Sequence, residues 1–84
     1  MSWNYRAIKE IINGETIYQV YECYYDDDGR LEAWTENPIC PLGESNRELV
    51  GQLAMMLHDV RNSQPVDMEE LRKQFPEPKE KVQP

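Results

Sequence analysis

The chain has 84 residues, and sixteen acidic against nine basic side chains give it a formal net charge of −7. A chain of this size buries only somewhat more than ~60% of the surface that its unfolded form exposes, so we expect one domain with a small core. Repulsion argues against nucleic acid or an anionic lipid surface as a partner, and no apolar run approaches the ~20 residues that a membrane span requires. The acidic balance favours basic protein partners, although it is also a common way to keep a protein soluble.

The chemistry-bearing residue types are sparse. Cys23 and Cys40 are the only cysteines, and they have no metal-ligand spacing and no secretory signal before them. We expect a cytoplasmic protein in which both thiols are reduced and buried as small apolar residues, with a disulfide as the alternative. The single histidine, His58, has no second ligand nearby in sequence, and Ser45 is explained by a capping role. The sequence therefore predicts no metal, no cofactor and no enzymatic activity.

The first half of the chain predicts an antiparallel meander. The strand-forming segments are rich in Ile, Val, Tyr, Trp and Thr, and they cover residues 3–12, 15–25 and 30–36. Asn13-Gly14 favours a two-residue type I′ turn between the first two strands. Asp26-Asp27-Asp28-Gly29 marks the second reversal, with its glycine in the left-handed position of a three-residue loop. These aspartates fit the turn on structural grounds and lack the ligand spacing of a calcium loop.

The segment from Ser45 to Arg61 has the pattern of a capped amphipathic helix, because Ser45 and Glu48 form a capping box. Apolar side chains recur every three or four residues at Leu49, Leu53, Met56 and Val60, with Val50 and Leu57 beside them. We predict a helix over residues 46–61 whose stripe covers one face of the sheet. Gly51, inside this helix, predicts a close approach of helix and sheet under an aromatic side chain.

The connections on either side of this helix are also predictable. Two prolines make residues 37–43 a crossing loop from the sheet to the helix. After the helix, Asp67 and Glu70 form a second capping box, which predicts a short helix over residues 68–75. Because Pro65 leads directly into that cap, we expect no fourth strand.

The C-terminal end differs in composition from the rest of the chain. Residues 76–84 are polar and rich in proline. Such a segment buries too little apolar surface to offset the conformational entropy that it would lose on ordering. We therefore expect a disordered tail after one domain over residues 1–75. The predicted fold class of that domain is α+β, a three-stranded antiparallel meander packed on one long helix and followed by a short helix.

The predicted turns set the strand register, and the register sorts the side chains into two faces. We expect the long helix to cover the face formed by Ile8, Ile17, Tyr21, Cys23, Tyr25, Leu31 and Ala33. The opposite face is predicted to be open and to mix aromatic and acidic side chains, namely Trp3, Tyr5, Tyr18, Glu22, Tyr24, Glu32, Trp34 and Glu36. The faces could be reversed, and a four-residue loop at Asp26–Gly29 would shift the third strand by one position.

The predicted open face indicates a function in binding. A wet face rarely needs so many aromatic side chains, and contiguous exposed aromatic area more often marks an interaction surface. Acidic neighbours suit a protein partner with basic residues at its rim, or a second copy of the chain. We therefore predict a non-enzymatic protein-binding module. The alternatives are that the aromatic pairs only stabilise the sheet or lie under the terminal helix, and that the chain is an acidic inhibitor or nucleic-acid mimic of the phage or defence type.

The motif Gly43-Glu44-Ser45, with Glu48-Leu49 and Leu53 after it, follows three strands and a loop that carries prolines. Over about residues 5–60 this arrangement resembles the N-terminal domain of HicB-type antitoxins. The Tyr-Tyr-Asp-Asp-Asp-Gly turn and the Trp-Thr-Glu-Asn-Pro strand end are also similar to a group of short, uncharacterised bacterial proteins. The antitoxin resemblance implies a strand-strand-strand-helix unit that binds a toxin-like partner. The sequence departs from that family's pattern, because we expect neither a fourth strand nor a basic DNA-binding domain, and we therefore expect no autoregulation through DNA.

Overall fold

The computed structural model describes residues 2–75, which fold into a four-stranded mixed sheet and two helices. The strands are Ser2–Ile12 (β1), Glu15–Tyr25 (β2), Leu31–Trp34 (β3) and Val66–Asp67 (β4), and the helices are Asn46–Arg61 (α1) and Met68–Gln74 (α2). The order in the sheet is β3-β2-β1-β4, in which β4 runs parallel to β1 and the other neighbours are antiparallel. The predicted α+β class is confirmed, and the predicted tail over residues 76–84 lies outside the described residues.

The first hairpin forms as its turn residues predict. Asn13 and Gly14 have φ angles of 52° and 81°, which are the positive values that a type I′ turn requires. β1 and β2 then pair over all eleven residues of each strand without a break, and Tyr5 lies opposite Glu22. The predicted register of this hairpin is therefore confirmed.

The second turn also has the predicted length. The Asp26 N–H donates to the Arg30 carbonyl at 2.9 Å, which leaves three residues in the loop. Gly29 has a φ of 80°, the left-handed conformation that favours glycine. The Asp26 carboxylate accepts from the N–H groups of Asp28 and Arg30, both at 2.9 Å, so this aspartate organises the turn.

The strand after this turn departs from the predicted register because of a bulge. The observed pairs are Tyr25 with Leu31, Tyr24 with Ala33 and Cys23 with Trp34. Glu32 is therefore the extra residue of a β-bulge, because it lies in β3 between the partners of two consecutive residues of β2. The extra residue moves Trp34 to the face on which Ala33 was expected, and it moves Ala33 to the other face. The predicted positions of both residues are wrong for this reason.

β4 corrects the expectation that no strand follows the long helix. It is two residues long and pairs with Ile8 and Lys9 at the edge of β1. The Arg6 guanidinium donates to the Gln64 carbonyl at 2.6 Å, and this bond holds the chain against the same edge. A two-residue strand after Pro65 has too little sequence pattern to be recognised, and it forms because β1 offers free backbone groups.

α1 covers the face of the sheet opposite to the predicted one. Gln52 donates to the Tyr5 hydroxyl at 3.3 Å, and the Asp59 carboxylate accepts from the Tyr5 backbone N–H at 3.1 Å. Tyr5 belongs to the aromatic face, so the long helix packs on that face and along the edge of β1. The expectation that the stripe of α1 covers the face of Ile8 and Tyr21 is wrong.

α2 closes the hydrophobic core on the other face. The buried cluster consists of Ile8, Tyr21, Cys23, Trp34, Met68 and Leu71, and it is flanked by Tyr25, Leu31, Val66 and Phe75. α2 begins at the predicted cap, where the Asp67 carboxylate accepts from the Glu69 N–H at 2.9 Å. The sheet therefore lies between two helices, and the shorter helix supplies the core contacts that were expected from the longer one.

The two cysteines are both free, and they differ in their environment. Cys23 is fully buried in the core, and this burial raises the pKa of its thiol to about 11. The thiol therefore stays protonated at neutral pH and is a poor nucleophile. Cys40 is exposed, which corrects the expectation of two buried thiols. The Ile39 N–H donates to the Val20 carbonyl of β2 at 2.8 Å. The chain leaves the sheet directly after Ile39, so Cys40 lies outside the core.

Candidate protein-binding surface

Four of the predicted site residues meet on the face of the sheet that α1 partly covers. Trp3 on β1 lies opposite Tyr24 on β2, and Tyr5 lies opposite Glu22. Side chains alternate between the two faces of a sheet from one residue to the next. These two pairs are two residues apart along each strand, so all four side chains project on the same side. We call Trp3, Tyr5, Glu22 and Tyr24 the aromatic–acidic cluster.

Tyr5 is the support of this cluster. Its side chain is only 5% exposed, and α1 binds it through Gln52 at the hydroxyl and Asp59 at the backbone N–H. The Trp3 ring packs edge-to-face against it, with ring centroids 5.2 Å apart and an interplanar angle of 85°. Trp3 itself remains 46% exposed, so a large aromatic ring is held in one orientation while much of its surface faces solvent.

A hydrogen bond joins the acidic and aromatic parts of the cluster. The Tyr24 hydroxyl donates to a carboxylate oxygen of Glu22. Burial, together with this bond and the negative charge of Glu22, raises the pKa of Tyr24 to about 12. The phenol therefore stays neutral at physiological pH and orients the carboxylate beside the rings.

Tyr18 lies on the same face, farther along the hairpin. It pairs with Lys9, is 60% exposed, and is separated from Glu22 along β2 by the partly exposed Val20. Ile11, on the neighbouring strand, is 61% exposed. These side chains extend the exposed apolar surface away from the aromatic–acidic cluster, and Tyr18 is therefore a peripheral member of the predicted site.

The remaining predicted residues lie on β3 or just beyond it. Trp34 is 8% exposed and packs against Phe75 in the core, with ring centroids 5.6 Å apart. Glu32 is the bulged residue of β3, and Glu36 is exposed beyond the end of that strand. The predicted location of Trp34 on the aromatic face is therefore wrong, and the bulge is the physical reason.

Sequence reasoning missed a second set of exposed side chains, which belong to α1. Those that are large and apolar are Val50, Leu53, Met55 and Leu57. The signal was present, because the apolar positions of α1 occupy more of the helix circumference than one sheet face can cover. Gln52 and Asp59, which bind Tyr5, were also missed, since their role depends on which face the helix covers.

Metal-binding clusters and clefts were sought among the described residues. Within residues 2–75, no group of three His, Cys, Asp or Glu side chains is placed to hold a metal ion. A shallow cleft of about 120 Å³ is lined by Lys9, Glu10, Ile11, Thr16, Asp67 and Glu69. This volume is below the ~300 Å³ at which small-molecule sites begin, and Arg72 already pairs with the Glu10 carboxylate.

No family model matches the sequence, and the comparisons with curated proteins and with solved structures find no similar protein. The resemblance to HicB-type antitoxins therefore stays a prediction. Neither α1 nor α2, the helices of the described part of the chain, is long and apolar enough to cross a membrane.

Proposed function

We propose that the chain is a non-enzymatic protein-binding module that contacts its partner through the aromatic–acidic cluster. The observation that carries this proposal is the half-exposed Trp3 ring, which the buried Tyr5 holds in place. A side chain that is already oriented loses little conformational freedom on binding, so more of its contact energy contributes to affinity. Exposed tryptophan on a rigid strand is also typical of the residues that dominate protein interfaces.

Charge supports a partner with basic residues around an apolar centre. The Glu22 carboxylate is held beside the rings by Tyr24, and the whole chain carries a formal net charge of −7. Such a field attracts and orients a basic surface at the rim of the contact. The proposal keeps the expected cytoplasmic setting, in which the two thiols stay reduced.

The two tryptophans allow a test with an internal reference. Protein labelled with ¹⁵N at the indole nitrogens is mixed with a lysate of its own source, and the Trp3 and Trp34 indole signals are recorded. Trp3 is expected to shift or broaden, whereas Trp34, which is buried in the core, keeps its position. Immobilised protein is then used to retain the partner from the same lysate.

Variants decide whether the retained protein uses this cluster. Trp3→Ala is expected to abolish retention and Glu22→Gln to weaken it, while Glu15→Gln, a matched change at the exposed hairpin tip, leaves it unchanged. If the partner is retained by the Trp3→Ala variant but released at high salt, the association is mainly electrostatic. That result would contradict the proposal and favour the acidic-inhibitor alternative. An unmoved Trp3 indole at every salt concentration would show that the cluster only supports the sheet.

A further inference from the structure

α1 carries two apolar rows, of which only one faces the sheet. The inner row consists of the buried Met56 and the half-buried Leu49 and Val60, with Leu53, 45% exposed, at its margin. The outer row consists of Val50, Ala54 and Leu57, all exposed, with exposed fractions of 57% for Val50 and 58% for Leu57. The steps of four and three residues within the outer row are those of the seam by which one helix packs against another.

The outer row ends in a cation on each side. Arg47 precedes Val50 by three residues, and Arg61 follows Leu57 by four, so both continue the same spacing. Both arginines are exposed. In a chain of net charge −7, this face of α1 therefore combines an apolar centre with positive ends, opposite in sign to the aromatic–acidic cluster.

Gly51 lies beside the outer row. A Cβ built at this glycine meets no atom within 4 Å, which corrects the expectation that helix and sheet approach closely here. Glycine weakens a helix interior relative to alanine, and no contact among residues 2–75 requires it at this position.

We propose that the outer row binds an amphipathic helix of a different protein, whose apolar seam has an acidic residue at each end. A second copy of the chain is disfavoured as the occupant because Arg47 and Arg61 each lie seven residues from Ala54. An antiparallel pair of such rows brings Arg47 of each copy against Arg61 of the other, and a parallel pair brings identical arginines together. Acidic ends on the partner convert both repulsions into ion pairs and so provide specificity.

This site is independent of the proposed function, because it uses another surface and the opposite charge preference. It is tested with a display library of helical peptides in which the apolar seam is constant and the residues flanking its ends are randomised. Selection on the immobilised full chain is expected to enrich Asp and Glu at both ends. Trp3→Ala is expected to leave this binding unchanged, which separates it from binding at the aromatic–acidic cluster.

Charge reversal identifies the contacts. The double variant Arg47→Glu, Arg61→Glu is expected to weaken the selected peptides about tenfold and to favour versions with Lys at the ends. Leu57→Asp is expected to abolish binding, while Met55→Asp, at a similarly exposed apolar position off the row, keeps it. Amide spectra of each variant establish that the fold is retained.

Four results would overturn the proposal. Enriched peptides could show no acidic bias at their ends, or no peptide could be enriched at all. Binding could be indifferent to the arginine reversal and to Leu57→Asp. Finally, a concentration-dependent dimer that Leu57→Asp dissociates would identify a second copy of the chain as the occupant of the row.

Discussion

At the residue scale, the two tryptophans show how a single register decides exposure. Trp3 is 46% exposed on the face shared with Tyr5, whereas Trp34 is 8% exposed in the core on the other face. Both belong to strands of one sheet, and their hydrophobicity is the same. The bulged Glu32 places Trp34 opposite Cys23, and this one extra residue separates a core side chain from a surface side chain.

The Glu22–Tyr24 hydrogen bond leads to a prediction at the same scale. Glu22→Gln is expected to lower the pKa of Tyr24 from about 12 toward, though not to, the ordinary 10.0, because burial remains as the largest cause. The pKa of Tyr24 is higher in the folded than in the unfolded chain. Its contribution to stability is therefore complete below about pH 10 and is lost as the pH rises toward 12.

Phenolate absorbance measured against pH in wild type and Glu22→Gln checks this expectation. Urea unfolding of the wild type across the same pH range gives the accompanying loss of stability. Tyr18→Phe serves as the control, since it removes an exposed tyrosine and should leave the late-titrating step in place. Superimposable titrations of wild type and Glu22→Gln would contradict the role of the carboxylate.

At the element scale, the two glycines near α1 have opposite surroundings. A Cβ at Gly43 would lie 2.6 Å from the Leu49 backbone nitrogen, so the crossing loop needs glycine to pass this close to the first turn of the helix. A Cβ at Gly51 would point into open space. The first glycine is explained by packing within the chain, whereas no contact among residues 2–75 explains the second.

Gly51→Ala is expected to raise the free energy of unfolding by about 0.5–1 kcal/mol, because alanine gains helix propensity and meets no neighbour. Gly43→Ala is expected to lower it, because the loop must move away from α1. Urea denaturation of the two variants beside wild type measures both changes. A Gly51→Ala variant that is less stable than wild type would contradict the open surroundings of this glycine.

At the scale of the whole molecule, the sheet is covered unequally by its two helices. The seven residues of α2 supply Met68 and Leu71 to the buried cluster, while the sixteen residues of α1 bury only Met56 completely. Besides its apolar inner row, α1 binds the sheet through the hydrogen bonds that Gln52 and Asp59 make to Tyr5. The short helix therefore stabilises the core, and the long helix retains a free face for binding.

Leucine-to-alanine variants measure how much each helix contributes to the free energy of unfolding. Leu71→Ala, at a side chain 2% exposed, is expected to cost about 2–5 kcal/mol, because it leaves a cavity in the core. Leu53→Ala, at a side chain 45% exposed, is expected to cost less than about 1 kcal/mol. Urea unfolding monitored at the buried Trp34 reports both values. A larger loss at Leu53 than at Leu71 would mean that α1 closes the core.

Local chemistry in the sequence was sufficient for the two long strands, both helices and the first hairpin, but not for β4. Asn13-Gly14 determined the β1–β2 register through its positive φ angles, and that register brought the aromatic–acidic cluster together. Ser45 caps α1 by accepting from the Glu48 N–H at 3.1 Å, and Asp67 caps α2. These features depend on neighbours within a few residues, so the sequence by itself determines them.

Only the tertiary structure decided which helix lies on which face. The apolar pattern of α1 fits either face, and the choice depends on the path of the crossing loop and on the edge of β1, where Gln64 and β4 dock. The bulge at Glu32 likewise has no local signal, because both registers of β3 place apolar residues on the core face. Such features depend on contacts between segments that are distant in sequence. These contacts form only in the folded chain, so no short segment determines them by itself.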